Sequence, residues 1–164
     1  MKIKLVCLVA IALQFCTIKS ALAVQLQPSD EAEAFKAAGY LLTEGKWHSE
    51  CNEPIELSFS PAQIESVTDL NGDSLPEVII TEGSLACYGN AGSGFTIVSK
   101  QSNNLWKPML SSTGIPAFLK TKGINGWPDI EIGGPGFCFS VWRWNGKSYE
   151  INRYEYEGKS CKIK

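Results

Sequence analysis

The chain has 164 residues, with 15 basic and 17 acidic side chains and a net charge of −2 near neutrality. Its lysines and arginines are scattered and form no basic stripe, which excludes the electrostatic footprint expected of a nucleic-acid-binding protein. A chain of this length suffices for one domain that buries roughly two thirds of its unfolded surface.

Met1-Lys2-Ile3-Lys4 leads into the unbroken apolar run Leu5 to Leu13, and Ala21-Leu22-Ala23 follows. A short positive segment, an apolar segment and small residues before a cut at Val24 predict a secretory signal peptide over residues 1–23. The run falls short of the roughly 20 apolar residues that a membrane-spanning helix needs. A lipoprotein would carry a small residue before its modified cysteine, whereas Val6 precedes Cys7 and Phe15 precedes Cys16. Residues 24–164 are therefore expected to form a single β-rich mature domain in the periplasm or outside the cell. Cleavage removes Lys2, Lys4 and Lys19, leaving 12 basic residues against 17 acidic ones, a net charge of −5.

Four cysteines, Cys51, Cys87, Cys138 and Cys161, lie beyond the signal. An even number in an oxidising compartment predicts two disulfides, with three possible pairings. A four-cysteine zinc site usually shows ligands in close pairs, and these are isolated singles.

In chain order, Ser29-Asp30-Glu31 supplies a capping residue and acids for a first turn, and Ala32 to Ala38 continues with good helix formers up to Gly39. This segment is the one convincing helix. Beyond it, short runs rich in β-branched and aromatic residues alternate with Gly, Pro, Asn and Ser. Strands are predicted at Ile55 to Phe59, Ile64 to Thr68, Glu77 to Thr81, Phe95 to Lys100, Leu105 to Leu110, Asp129 to Ile132, Phe137 to Trp144 and Ser148 to Tyr156. Asn145-Gly146 is a hairpin signal between the last two.

An internal repeat of about 50 residues aligns Leu75-Pro76-Glu77-Val78-Ile79-Ile80 with Trp127-Pro128-Asp129-Ile130-Glu131-Ile132, and Gly83 and Cys87 with Gly134 and Cys138. Such a period is the size of one small antiparallel sheet or propeller blade. Two copies cannot close a propeller. The expected fold is mainly β (α+β): two blade-like antiparallel β repeats with the N-terminal helix packed on them. The matched positions of Cys87 and Cys138 suggest that they bond to each other, leaving Cys51 with Cys161.

The segment Asp69-Leu70-Asn71-Gly72-Asp73-Ser74-Leu75-Pro76-Glu77 places side-chain oxygens at positions 1, 3, 5 and 9 and a backbone carbonyl at Leu75. A curled loop can aim such alternate oxygens at one hard cation, and calcium tolerates the geometry better than magnesium. The bland alternative is a polar turn whose Asp and Asn side chains bond their own backbone. A helix-loop-helix calcium hand would need an acid at position 12, where Ile80 stands, and a strand follows the loop. The segment resembles the calcium loops of the FG-GAP and VCBS repeat class, in which an Asp-rich loop runs directly into a strand and a Gly-rich turn. The resemblance covers residues 66–98 and, in degenerate form, 121–144. It implies that Asp69, Asn71, Asp73 and Glu77, with Leu75 through its carbonyl, hold a structural calcium ion. Ser74 stands where the class usually has glycine, and Glu77 where it usually has aspartate. The second copy, Thr121 to Asp129, lacks the first acids and carries Lys122, so no ion is expected there.

His48, the only histidine, lies near Cys51, but a cysteine in an oxidising compartment is expected to be bonded. The glycine-rich stretch Gly89 to Gly94 opens a strand and lacks the helix terminus that cradles phosphate. Trp106, Trp127, Trp142, Trp144, Tyr149, Tyr154 and Tyr156 read mainly as core, with a sugar-stacking or protein-docking face as the alternative. The expected function is an exported, non-enzymatic module that binds an envelope or extracellular protein or glycan. The alternatives are a periplasmic enzyme inhibitor or immunity-type protein and a small metal-dependent hydrolase using Asp69, Asp73 or Glu77.

Overall fold

The computed structural model describes residues 26–51 and 58–163. Helix α1 (Pro28–Ala37) opens on proline, whose missing N–H and fixed φ suit a first helical position. Gln27 takes the N-cap place without a side-chain bond, so the expected capping role of Ser29 is not realised. The helix ends where Gly39 adopts φ +87° and the Tyr40 N–H reaches back to the Phe35 carbonyl at 3.0 Å.

Six antiparallel strands follow in one sheet: β1 (Leu41–Thr43), β2 (Lys46–His48), β3 (Ser60–Thr68), β4 (Glu77–Gly83), β5 (Ser93–Lys100) and β6 (Trp106–Thr113). A one-turn helix α2 (Leu85–Tyr88) and a 3-10 turn (Gly89–Ala91) join β4 to β5. At Gly114 the chain crosses to a second antiparallel sheet of β7 (Ile115–Lys122), β8 (Pro128–Gly133), β9 (Phe139–Trp144), β10 (Tyr149–Tyr156) and β11 (Lys159–Ser160). Within each sheet four sequential strands, β3 to β6 and β7 to β10, form an up-and-down meander, the blade-like unit expected from the repeat. The fold is mainly β and is not a closed propeller.

Alternation along β4 and β5 builds three layers. Val78, Ile80 and Val98 face α1, where they pack with Ala34, Phe35, Tyr40, Ala62 and Trp106. Ile79, Phe95, Ile97 and Leu110 face the other way, onto Trp127, Ile130, Ile132, Trp144 and Tyr149 of the second sheet. The first sheet is thus covered on both sides, which is why β4 and β5 are buried along nearly their whole length. Among the described residues no helix is long and apolar enough to cross a membrane.

The disulfides correct the expected pairing. Cys51 bonds Cys87, and Cys138 bonds Cys161, with Cα separations of 5.9 and 5.7 Å. Equivalent positions in two repeats lie in different units and need not meet. Each bridge instead closes one unit, the first tying the segment after β2 to α2 and the second tying the turn before β9 to the segment after β11. Strands β1, β2, β7 and β11 lie outside the predicted set. Most of the expected strand Ile55 to Phe59, namely residues 55–57, falls outside the described residues, as does the predicted signal peptide.

Candidate metal centre

All the predicted ligands converge on the loop between β3 and β4. Asp69 opens the loop, and its carboxylate accepts backbone N–H bonds from Gly72 at 2.7 Å, Ser74 at 2.9 Å and Asp73 at 3.2 Å. The Asn71 side-chain oxygen accepts from the Asp73 N–H at 2.9 Å. Asp73 in turn accepts from the Leu75 N–H at 2.8 Å and from the Asn71 amide at 2.9 Å. Ser74 adopts φ +70°, a left-handed conformation that glycine takes at least cost.

Glu77 differs from these exposed groups because it is the first residue of β4 and fully buried. One carboxylate oxygen accepts the Leu70 N–H at 2.7 Å and the other accepts the Ser99 hydroxyl at 2.8 Å. Burial, and to a lesser degree the charges of Asp73 and Asp69, outweigh the lowering bonds from Leu70 and Ser99 and leave its carboxyl pushed up to about 7. In this arrangement the loop carboxylates are turned onto backbone N–H groups, and among the described residues no group of three or more acidic, histidine or cysteine side chains is set to hold an ion. The donor set nevertheless fits a hard cation: three carboxylates, a side-chain amide oxygen and the Leu75 carbonyl. Asp69 and Asp73 are exposed, whereas Glu77 is buried and held by its two bonds.

The second unit offers an internal comparison. Asp129, aligned with Glu77, is the second residue of β8, between β7 and β9, and is fully buried. The Arg143 guanidinium binds it in a fork, with both nitrogens at 2.8 Å. Arg153 adds a third charged bond at 2.6 Å, and Thr121, aligned with Asp69, donates its hydroxyl at 2.6 Å. Burial alone would raise this carboxyl, but the bonds from Arg143, Thr121 and Arg153 outweigh it and hold the group well below the usual carboxylate range. Gly126, aligned with Ser74, has φ +80°, and a Cβ there would meet the Asn71 carbonyl at 2.5 Å. The two equivalent turns therefore abut.

The loop does not simply close on the surface. Asn71, Asp73 and Leu75 line a cleft of about 450 Å³, together with Trp127 and Trp144. The remaining features are placed more plainly. Cys51 is bonded to Cys87, so it supplies no thiol nucleophile to His48. His48 is buried, its Nδ1 pairs with the Ser49 carbonyl, and its Nε2 has no partner among the described residues. Trp106, Trp127, Trp144 and Tyr149 belong to the cores, while Tyr156 lies with Phe137 and Phe139 in an exposed aromatic cluster.

Sequence reasoning missed the buried Glu82, which accepts from the Ser49 N–H and hydroxyl and from the Tyr88 hydroxyl. It also missed Arg143 and Arg153, whose only signal was their place on strands neighbouring the repeat that contains Asp129. Comparison with protein-family models, curated proteins and solved structures found no match to this chain.

Proposed function

We propose that this chain is an exported, non-enzymatic β-repeat binding module whose Asp69–Glu77 loop holds a structural calcium ion. The carrying observation is the contrast between the two buried acids. Asp129 is neutralised by two guanidiniums, whereas among the described residues Glu77 is bonded by an N–H and a hydroxyl and has two further carboxylates nearby. A buried carboxylate without a counter-charge is costly. A divalent cation at Asp69, Asn71, Asp73, Leu75 and Glu77 supplies for the first unit what Arg143 and Arg153 supply for the second. This supports the likeness to the FG-GAP and VCBS repeat class drawn from the loop.

Two disulfides suit an oxidising compartment, so a single mature domain in the periplasm or outside the cell fits the chemistry. Phe137 is 76% exposed and lies against Tyr156 beside the Cys138–Cys161 bridge, an apolar surface suited to an envelope or extracellular protein partner. An enzyme inhibitor or immunity-type protein would use the same surface. Titration calorimetry of the oxidised mature chain tests the ion directly: calcium binding that Asp73→Asn abolishes supports the reading, and no heat at millimolar calcium refutes it.

One observation favours a second reading, a small metal-dependent hydrolase: the loop lines a cleft. Such an enzyme needs an open coordination position facing its substrate. Against it, Glu77 is sealed within the fold with both oxygens engaged. Calcium-dependent turnover of a phosphodiester or ester probe, lost in Asp73→Asn, would establish the hydrolase.

A further inference from the structure

We infer that the Cys51–Cys87 disulfide is a redox latch: a dithiol reductant opens it ahead of Cys138–Cys161, and its opening frees the β1–β2 hairpin from the buried Glu82. The inference goes beyond the binding-module reading and does not depend on the ion. The two bridges differ in access. Cys51 is exposed, borders a cavity of about 410 Å³ and is bonded to a half-buried Cys87, whereas Cys138 is buried and Cys161 half-buried. An incoming thiolate must reach a sulfur, so exposed disulfides are the more readily exchanged ones. The second bridge is also backed by strand pairing, since Cys161 follows β11 and its N–H donates to the Tyr154 carbonyl of β10 at 3.1 Å.

What the first bridge holds makes it a latch. Ser49, just before Cys51 in the chain, donates its N–H at 2.8 Å and its hydroxyl at 2.6 Å to Glu82, and Tyr88, next to Cys87, donates its hydroxyl to the same carboxylate. Burial and this bond hold the Tyr88 phenol well above its ordinary value, so it stays a donor. Glu82 is thus gripped from both sides of the bridge by near neighbours of its two cysteines. Among the described residues the hairpin is otherwise lightly attached: β2 pairs with β3 at Trp47 and Ala62, and Trp47 stacks on Phe35 of α1 with ring centres 4.8 Å apart. Once the bridge is broken, the Ser49 and Tyr88 segments can separate, and a buried carboxylate deprived of its donors favours the opened, hydrated arrangement. The exchange balances with two electrons from the dithiol. Its thiolate attacks Cys51 Sγ, Cys87 leaves as a thiolate and takes a proton, and the reductant's second thiol displaces Cys51 and closes the reductant's own disulfide.

The test uses the oxidised mature chain, with dithiothreitol as the dithiol. At limiting reductant, alkylation and peptide mapping should find Cys51 and Cys87 labelled about tenfold more than Cys138 and Cys161. Amide hydrogen exchange of the singly reduced protein should speed up about tenfold or more in β1, β2 and α2, with β8 to β10 unchanged. Tyr88→Phe deletes one hydroxyl and should shift the equilibrium of this bridge about threefold to tenfold toward the thiols, because the bond to Glu82 is made only in the bridged form. Ser49→Ala repeats that measurement from the other cysteine's side. The inference is overturned if labelling starts at Cys138–Cys161 or falls equally on all four cysteines, if reduction leaves exchange in the hairpin unmoved, or if the equilibrium is unshifted in both variants. A calcium melt of the oxidised chain reads the ion separately, so failure of the latch leaves the binding-module reading standing.

Discussion

Glu77 and Asp129 lie at or next to the starts of equivalent strands, are equally buried, and differ in what neutralises them. Glu77 holds its proton more tightly in the folded chain than its ordinary value of 4.5 allows, up to about 7. In chelator, stability should therefore decline as pH rises from about 4.5 to about 7 and then level, because the unfolded chain has already released that proton. Glu77→Gln should remove this slope and leave the chelated protein as stable as wild type or more so above pH 7, while abolishing any stabilisation by calcium. Urea melts across that range, with and without calcium, read both effects. Asp129 has the opposite sign. Its contribution is fully present above about pH 4 and is lost on acidification below it, since the folded group sits below its unfolded value. Asp129→Asn should cost about 3–5 kcal/mol at neutral pH by leaving two guanidiniums without their partner, and should flatten the acid limb of the stability profile. The clustering of Asp69, Asn71, Asp73 and Glu77 in one loop was legible because they lie within nine consecutive positions. Arg143 and Arg153 were not, because the contacts that make them significant cross from β8 to β9 and β10.

At the scale of elements, the buried strands were readable and the edges were not. β4, β5 and β8 carry the short β-branched and aromatic runs Val78–Ile80, Phe95–Val98 and Ile130–Ile132 and are largely buried, because none of them is an edge strand. β7 is an edge strand with Pro116, Lys120 and Lys122 and is largely exposed, so it carries no alternation to detect and its residues discourage further pairing. The β1–β2 hairpin turns on Glu44-Gly45, both at positive φ, a turn in which glutamate gives little warning. The repeat placed β4 and β8 correctly but misled the cysteine pairing, since sequence equivalence is silent about which units meet in space. Peptide mapping of the oxidised chain should recover Cys51–Cys87 and Cys138–Cys161. Each bridge closes a loop long enough to contribute roughly 3–4 kcal/mol in the chain-entropy picture. Close backbone approaches give a further check. A Cβ at Gly114, where the chain crosses between sheets at φ +118°, would stand 2.4 Å from the Gly133 carbonyl. Gly114→Ala should lower stability by about 2 kcal/mol or more, through strain and displaced backbone, in a denaturant melt.

For the whole molecule, one helix and two meanders stack into three layers, with the loop end of both units drawn together where Gly126 meets Asn71. An ion in the first loop would brace that junction from one side, as the Asp129 network braces it from the other. The account therefore stands or falls on calcium. The most direct measurement is the thermal melt of the mature, oxidised protein in saturating calcium and in chelator, repeated with Asp73→Asn. A hundredfold excess over the dissociation constant should add about 2.7 kcal/mol and raise the midpoint by roughly 5–10 °C in wild type alone. An identical melt with and without calcium would contradict the account and reduce the loop to a polar turn held by its own backbone.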